Sequence, residues 1–191
     1  MKKYKLTDLS LIELIKKGKV GVLPTDTLYG LVGLALKNRA VKKIYRLKER
    51  TPSKPCIILI SQIKDLKKFA VKVSQVDRKI LKKIWPGKVS MVLPCPEKKF
   101  FYLHRGTKTL AFRLPKKRSL VKLLKKTGPL LAPSANWENF SPAENIFQAR
   151  KYFGDNIDFY VSGGKMRSKP STLVIIKDGK LKVLRQGAVK I

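Results

Sequence analysis

One histidine, two cysteines and twelve acidic residues in 191 leave this chain short of the groups that most enzymes use for acid–base and metal chemistry. His104, Cys56 and Cys95 cannot assemble a Cys/His zinc site within one chain. Only His104 could assist a serine or cysteine nucleophile, so hydrolase triads are set aside. Both cysteines sit in apolar runs, Cys56-Ile57-Ile58-Leu59-Ile60 and Val92-Leu93-Pro94-Cys95, and read as small core residues. No apolar run approaches the roughly 20 residues of a membrane span. The basic start Met1-Lys2-Lys3 leads into Leu11-Ile12-Glu13-Leu14-Ile15, which a charge interrupts. Neither a signal peptide nor a membrane anchor is expected, and a cytoplasmic location is. Neither Gly-x-x-x-x-Gly-Lys-Ser/Thr nor Gly-x-Gly-x-x-Gly occurs, so a nucleotide would be held differently from the P-loop and Rossmann manners.

What remains is strongly basic: 44 Lys plus Arg give a net charge of +32. Such a field can hold anionic ligands or nucleic acid. Most of it is lysine, in pairs such as Lys42-Lys43, Lys67-Lys68 and Lys116-Lys117, which suit a solvated surface equally well. The 43% hydrophobic content supports a sizeable core.

Apolar patterning alternates strands and helices from end to end without linker, repeat or low-complexity segment. This points to one α/β domain over 1–191 with a twisted mixed sheet and flanking helices. Ser10 with Glu13 predicts a capped first helix closed by Gly18, and Asn38 predicts the cap of a second. Helical spacing recurs over Ile63–Phe69, Val76–Ile84 and Leu120–Leu124. Ser141, Pro142 and Glu144 predict a helix start running to about Phe153. Strands are expected at Lys19–Leu23, Cys56–Ile60, Val89–Leu93, Thr109–Leu114, Leu130–Ala132 and Ile157–Val161. Thr172–Ile176 should pair with Leu181–Arg185 across Asp178-Gly179. Trp85-Pro86-Gly87 reads as a packing and turn element.

The richest segment is Pro24-Thr25-Asp26-Thr27-Leu28-Tyr29-Gly30-Leu31, which follows a short β-branched strand. Proline cannot donate to a ladder, so the chain should turn there and present hydroxyls and a carboxylate at a strand end, where open α/β sheets bind ligands. Lys48–Lys54, Ser134–Asn136, and Ser171 with Arg185 likewise follow apolar elements and offer cationic, hydroxyl or amide groups. Guanidinium and ammonium groups bind oxyanions while Ser, Thr and Asn supply neutral donors, a set suited to phosphates and a carboxylate. Asp26 could approach Mg²⁺, although an Asx turn is the commoner role. Tyr29 reads as core or pocket wall.

The ordered set Pro24–Leu31, Lys48-Glu49-Arg50, Trp85-Pro86-Gly87, Arg113-Leu114-Pro115, Pro133-Ser134-Ala135-Asn136, Ser171-Thr172 and Arg185-Gln186-Gly187 resembles the YrdC-like family of threonylcarbamoyl-AMP synthases, from about Ser10 to Ala188. The resemblance implies a short single-domain form of the YrdC-like fold with a basic concave face. It implies a nucleotidyltransferase that forms threonylcarbamoyl-AMP and pyrophosphate from L-threonine, bicarbonate and ATP with Mg²⁺, for t⁶A modification of tRNA. The partners implied are ATP, L-threonine and bicarbonate, with threonylcarbamoyl-transferase machinery receiving the product and tRNA or double-stranded RNA a further possibility. Carried over by position, Lys48 and Arg50 are the catalytic pair, Thr27 and Arg113 bind threonine, and Lys54, Ser134, Asn136, Ser171 and Arg185 bind the nucleotide. No metal ligand is assigned, Mg²⁺ being expected through the ATP phosphates. The alternative reading is a non-catalytic double-stranded RNA or tRNA-binding protein using the same concavity.

Three departures from the family pattern stand out. Trp137-Glu138-Asn139-Phe140 replaces a small Ser-Gly step, Ile175 stands where an acidic residue is frequent, and Ser90 replaces a common threonine. Whether the Gly-rich segment 162–171 closes as a lid is left open.

Overall fold

The computed structural model describes residues 4–51, 53–177 and 179–191. Nine strands form one mixed sheet in the order β7-β1-β2-β6-β3-β5-β4-β8-β9. They are β1 Gly21–Pro24, β2 Tyr29–Leu34, β3 Ile57–Leu59, β4 Val89–Pro94, β5 Thr109–Arg113, β6 Leu130–Leu131, β7 Phe159–Tyr160, β8 Thr172–Lys177 and β9 Lys180–Arg185. β1 with β7, β3 with β5 and β4 with β8 run parallel, and the remaining neighbours are antiparallel. The helices are α1 Leu9–Lys16, α2 Asn38–Leu47, α3 Gln75–Ile84, α4 Phe101–His104, α5 Arg118–Thr127 and α6 Ile146–Phe153.

Side chains alternate across a strand with period two, and here consecutive residues enter opposite cores. Val22, Leu31, Ile58 and Leu131 join the larger cluster, with Ala40, Val41 and Ile44 of α2, Leu81 of α3 and Ala149 and Phe153 of α6. Their neighbours Leu23, Val32, Leu59 and Leu130 join the smaller one, with Leu11, Ile12 and Ile15 of α1 and Leu120, Leu123 and Leu124 of α5. Burial on both faces explains why these strands read as continuous apolar runs. The smaller cluster includes no residue of β4, β5, β8 or β9. On that half of the sheet, the face opposite Phe112 and Val174 is left open, and the ligand pocket forms there.

Local start signals were misplaced at several helices. α1 begins at Leu9 behind Asp8, whose Oδ2 accepts from Lys5 N at 2.7 Å, so Ser10 lies inside the helix. Lys37, not Asn38, precedes α2. α6 begins at Ile146, because Asn145 Oδ1 accepts from Gln148 N at 2.9 Å and provides the cap expected of Ser141. Glu144 instead pairs with Arg167 at 3.3 Å. Ile63–Phe69 is a 3₁₀ helix, in which Asp65 Oδ2 turns back to accept from Ser61 N at 2.9 Å and Ser61 Oγ at 2.7 Å. β1 continues through Pro24, which opposes Tyr29. β3, β6 and β7 are shorter than the apolar runs that contain them. Trp85 is buried with Nε1 donating to Val89 O at 2.8 Å, the packing role expected of it. The β8–β9 hairpin forms as the Asp-Gly signal predicts, with Asp178 itself outside the described residues.

Candidate active site

A hydroxyl rather than the carboxylate makes the turn after β1. Thr25 Oγ1 accepts from Thr27 N at 3.1 Å and Leu28 N at 3.2 Å, and donates to Leu28 O at 2.7 Å. The segment thus closes as a Thr-based turn, not the Asx turn expected of Asp26. Asp26 Oδ1 lies 3.0 Å from Arg113 Nη2, and Oδ2 accepts from Lys116 N at 3.3 Å. Arg113 is on the open face because it ends β5 one residue after core-facing Phe112, in register with Leu59. Its Nη1 donates to Thr27 Oγ1 at 2.8 Å, and the side chain is 4% exposed. Thr27 and Arg113 therefore form one buried unit with Asp26, as the sequence reading grouped the first two.

Lys48 ends α2 and is buried. Its ammonium donates to Ser134 O, Asn136 O and Asn136 Oδ1, each at 3.0 Å, and lies 3.4 Å from Ser134 Oγ. It ties the Ser-Ala-Asn loop to the helix end, a structural duty the sequence did not reveal. Backbone bonds from Leu31 N to Pro133 O and from Ala135 N to Tyr29 O, at 2.9 and 2.8 Å, seat that loop against β2. Arg50 Nε and Nη2 donate to Lys54 O and Pro55 O at 2.9 and 3.1 Å, so only carbonyls meet its charge among the described residues. Ser171 Oγ and Ser90 Oγ are hydrogen-bonded at 2.8 Å, and Arg185 Nη2 donates to Ser171 O at 2.9 Å. Tyr29, fully buried, accepts from Gly163 N and donates to Gly164 O, both at 2.8 Å, and so pins the start of segment 162–171.

These groups surround a cavity of about 220 Å³ whose lining includes Thr27, Lys48, Arg50, Arg113, Ser134, Ser171 and Arg185, with Ile57, Ala111 and Leu173 as apolar floor. The structure does not bring Lys54 and Asn136 into that lining. The Lys54 ammonium pairs with Glu138 at 2.7 Å, and Asn136 Nδ2 is spent on Trp137 O and Phe140 O, both at 2.7 Å. Sequence reading missed three roles: the Thr25 turn, the Ser90 partner of Ser171, and Glu138. For the last, the available signal was Trp137-Glu138-Asn139-Phe140 standing where the family pattern has a small Ser-Gly step.

No acidic residue lines the cavity among those described. Burial pushes the Lys48 ammonium down to about 8, and the Arg50 charge adds to the effect. Arg113 is lowered by burial, with Asp26 opposing and Arg185 reinforcing, and Arg185 is lowered by burial and by Arg50. Cations that disfavour one another's charge around a shared pocket favour an anion placed among them. Among the described residues no group of three or more His, Cys, Asp or Glu could hold a metal ion.

The described residues thus form a mixed α/β sheet whose open half carries a cationic pocket without an acidic lining residue. The Sua5/YciO/YrdC family model, described as telomere recombination, matches residues 13–187, and the chain belongs to this family. A Pyrococcus abyssi protein named threonylcarbamoyl-AMP synthase is 32% identical over 178 residues, covering 92% of this chain and 52% of its own length. A Mycobacterium tuberculosis protein named putative threonylcarbamoyl-AMP synthase is 28% identical over 182 residues, covering 95% and 84%. The crystal structure of P. abyssi Sua5 complexed with L-threonine superposes with a TM-score of 0.85 at 30% identity, over 93% of this chain and 53% of that one. The chain thus spans about half the length of the Pyrococcus protein.

Proposed function

We propose that this chain is a threonylcarbamoyl-AMP synthase, forming threonylcarbamoyl-AMP and pyrophosphate from L-threonine, bicarbonate and ATP, whose product serves t⁶A modification of tRNA through a separate threonylcarbamoyl-transferase. The observation that carries the reading is the acid-free cavity ringed by Lys48, Arg50, Arg113 and Arg185. Its confined volume suits a small anion better than a polynucleotide, and its polar groups divide in two. Arg113 with Thr27 and Thr25 gathers a guanidinium and hydroxyls, group types suited to the carboxylate and hydroxyl of an amino acid. Lys48, Arg50 and Arg185 suit phosphates.

In this reading the threonine amine condenses with bicarbonate to a carbamate, releasing water. A carbamate oxygen then bonds to the α-phosphorus as the bond to the β-phosphate oxygen breaks, and pyrophosphate leaves. That makes the reaction a nucleotidyl transfer. The residues position the two anions and neutralise charge, which requires no histidine base. Mg²⁺ belongs here to the substrate, carried on the triphosphate. Lys48 does double duty: it shapes the Ser134–Asn136 loop and faces the cavity.

The test is pyrophosphate release by purified protein, expected only when ATP, L-threonine and bicarbonate are all present. Release without threonine would overturn the reading. Arg50→Ala should abolish most turnover while the fold persists. Lys48→Ala should lose both turnover and stability.

A further inference from the structure

The segment that departs most from the family pattern, Trp137-Glu138-Asn139-Phe140, forms a tight turn. Asn136 Nδ2 donates to Trp137 O and Phe140 O, and the Trp137 ring packs edge-on against Phe140 and Tyr152 with centroids 5.7 and 5.3 Å apart. The turn presents Glu138 to the strap made by residues 48–51 and 53–55. Glu138 N donates to Lys48 O at 2.9 Å, Oε2 accepts from Thr51 N and from Thr51 Oγ1, and Oε1 accepts from Lys54 Nζ at 2.7 Å. The strap is closed on its other side by Arg50, which grips Lys54 O and Pro55 O, and by Tyr45 Oη donating to Lys54 O at 2.9 Å. Arg50 lines the cavity and Glu138 does not.

We propose that Glu138 is a positioning residue for the phosphate side of the pocket. It clamps the strap so that Arg50 is held over the cavity, and it absorbs the Lys54 charge while leaving Arg50 free of any carboxylate among the described residues. The inference rests on the proposed reaction for its kinetic consequence, not for the clamp itself. A carboxylate with three donors from one short loop fixes that loop more firmly than water would, because it satisfies a backbone N–H and a hydroxyl together. The threonine side is built from Thr25, Thr27, Asp26 and Arg113, none of which Glu138 touches. A defect in the clamp should therefore be felt by ATP and not by threonine.

Two variants test this. Glu138→Ala removes every side-chain bond of the clamp, whereas Glu138→Gln keeps an oxygen for Thr51 and loses the ion pair to Lys54. In the unliganded protein, hydrogen exchange at the Thr51 amide should accelerate about tenfold or more in Glu138→Ala and little in Glu138→Gln. KM for ATP should rise about tenfold in Glu138→Ala, with KM for L-threonine unchanged and partial rescue in Glu138→Gln. Unchanged exchange at Thr51 overturns the clamp. Equal rises in both KM values overturn its assignment to the phosphate side. If the wild type shows no threonine-dependent turnover, the proposed reaction fails while the exchange measurement, with calorimetric ATP affinity in place of KM, still decides the clamp.

Discussion

In the proposed reaction Lys48 should couple triphosphate binding to proton uptake, and the size of that coupling follows from its setting. Burial at the end of α2 and the nearby Arg50 charge lower its pKa to about 8. The shift disfavours the charged form by roughly 3 kcal/mol relative to an ordinary lysine, which titrates near about 10.4. A triphosphate bound among Lys48, Arg50 and Arg185 supplies the missing counter-charge and returns the pKa toward that ordinary value. At pH 7 the free ammonium is already about nine-tenths charged and binding takes up only about 0.1 proton; at pH 8 the uptake is about 0.5, and at pH 9 about 0.9. ATP affinity should fall with pH by the same slope. Arginine stays charged throughout this window, and the last phosphate proton, with a pKa of about 6, is already lost. Calorimetric titration of ATP, without threonine or bicarbonate, in two buffers of different ionisation enthalpy measures the uptake directly. Equal enthalpies in both buffers at pH 8 and 9 would refute the argument.

Asp26→Asn should lower stability by about 3 kcal/mol in urea unfolding, because it leaves the buried Arg113 guanidinium without its carboxylate. Thr27→Val removes the hydroxyl that Arg113 Nη1 meets at 2.8 Å and should cost about 1–3 kcal/mol, while raising KM for L-threonine more than KM for ATP. Gly187→Ala places a Cβ 2.2 Å from Pro170 O and 2.6 Å from Thr172 N, all backbone, and should lower the thermal midpoint by about 4 °C or more together with the order of Ser171 and Arg185. Ser90→Ala strips Ser171 Oγ of its buried partner and should cost about 1 kcal/mol in denaturant unfolding.

Much of the fold was legible because its strands are buried on both faces and its helices are amphipathic, both local patterns. The failures fall at helix starts, where several capping residues compete within a few positions. Asn145 took the cap expected of Ser141, and α1 starts one residue before Ser10, with the Asp8 carboxylate turned to Lys5 N rather than into the helix. The Ile63–Phe69 segment is helical as its spacing predicts, wound as a 3₁₀ helix with Asp65 closing its start on Ser61.

The site divides in the same way. Sequence by itself determined the chemical inventory, the scarcity of acid and histidine, and the ordered motifs that place Thr27, Lys48, Arg50, Arg113, Ser134, Ser171 and Arg185 at element ends. Those properties are written in residue types and short spacings. Only the tertiary structure decided which of them share one cavity. It left Lys54 and Asn136 outside the cavity lining, gave Asp26 to Arg113, and showed that Glu138 reaches back from the unusual loop to the strap that carries Arg50. Such pairings join residues some 84 to 90 positions apart. They exist only once the folded chain brings the loops after β1, α2, β5 and β6 together, which no local spacing specifies.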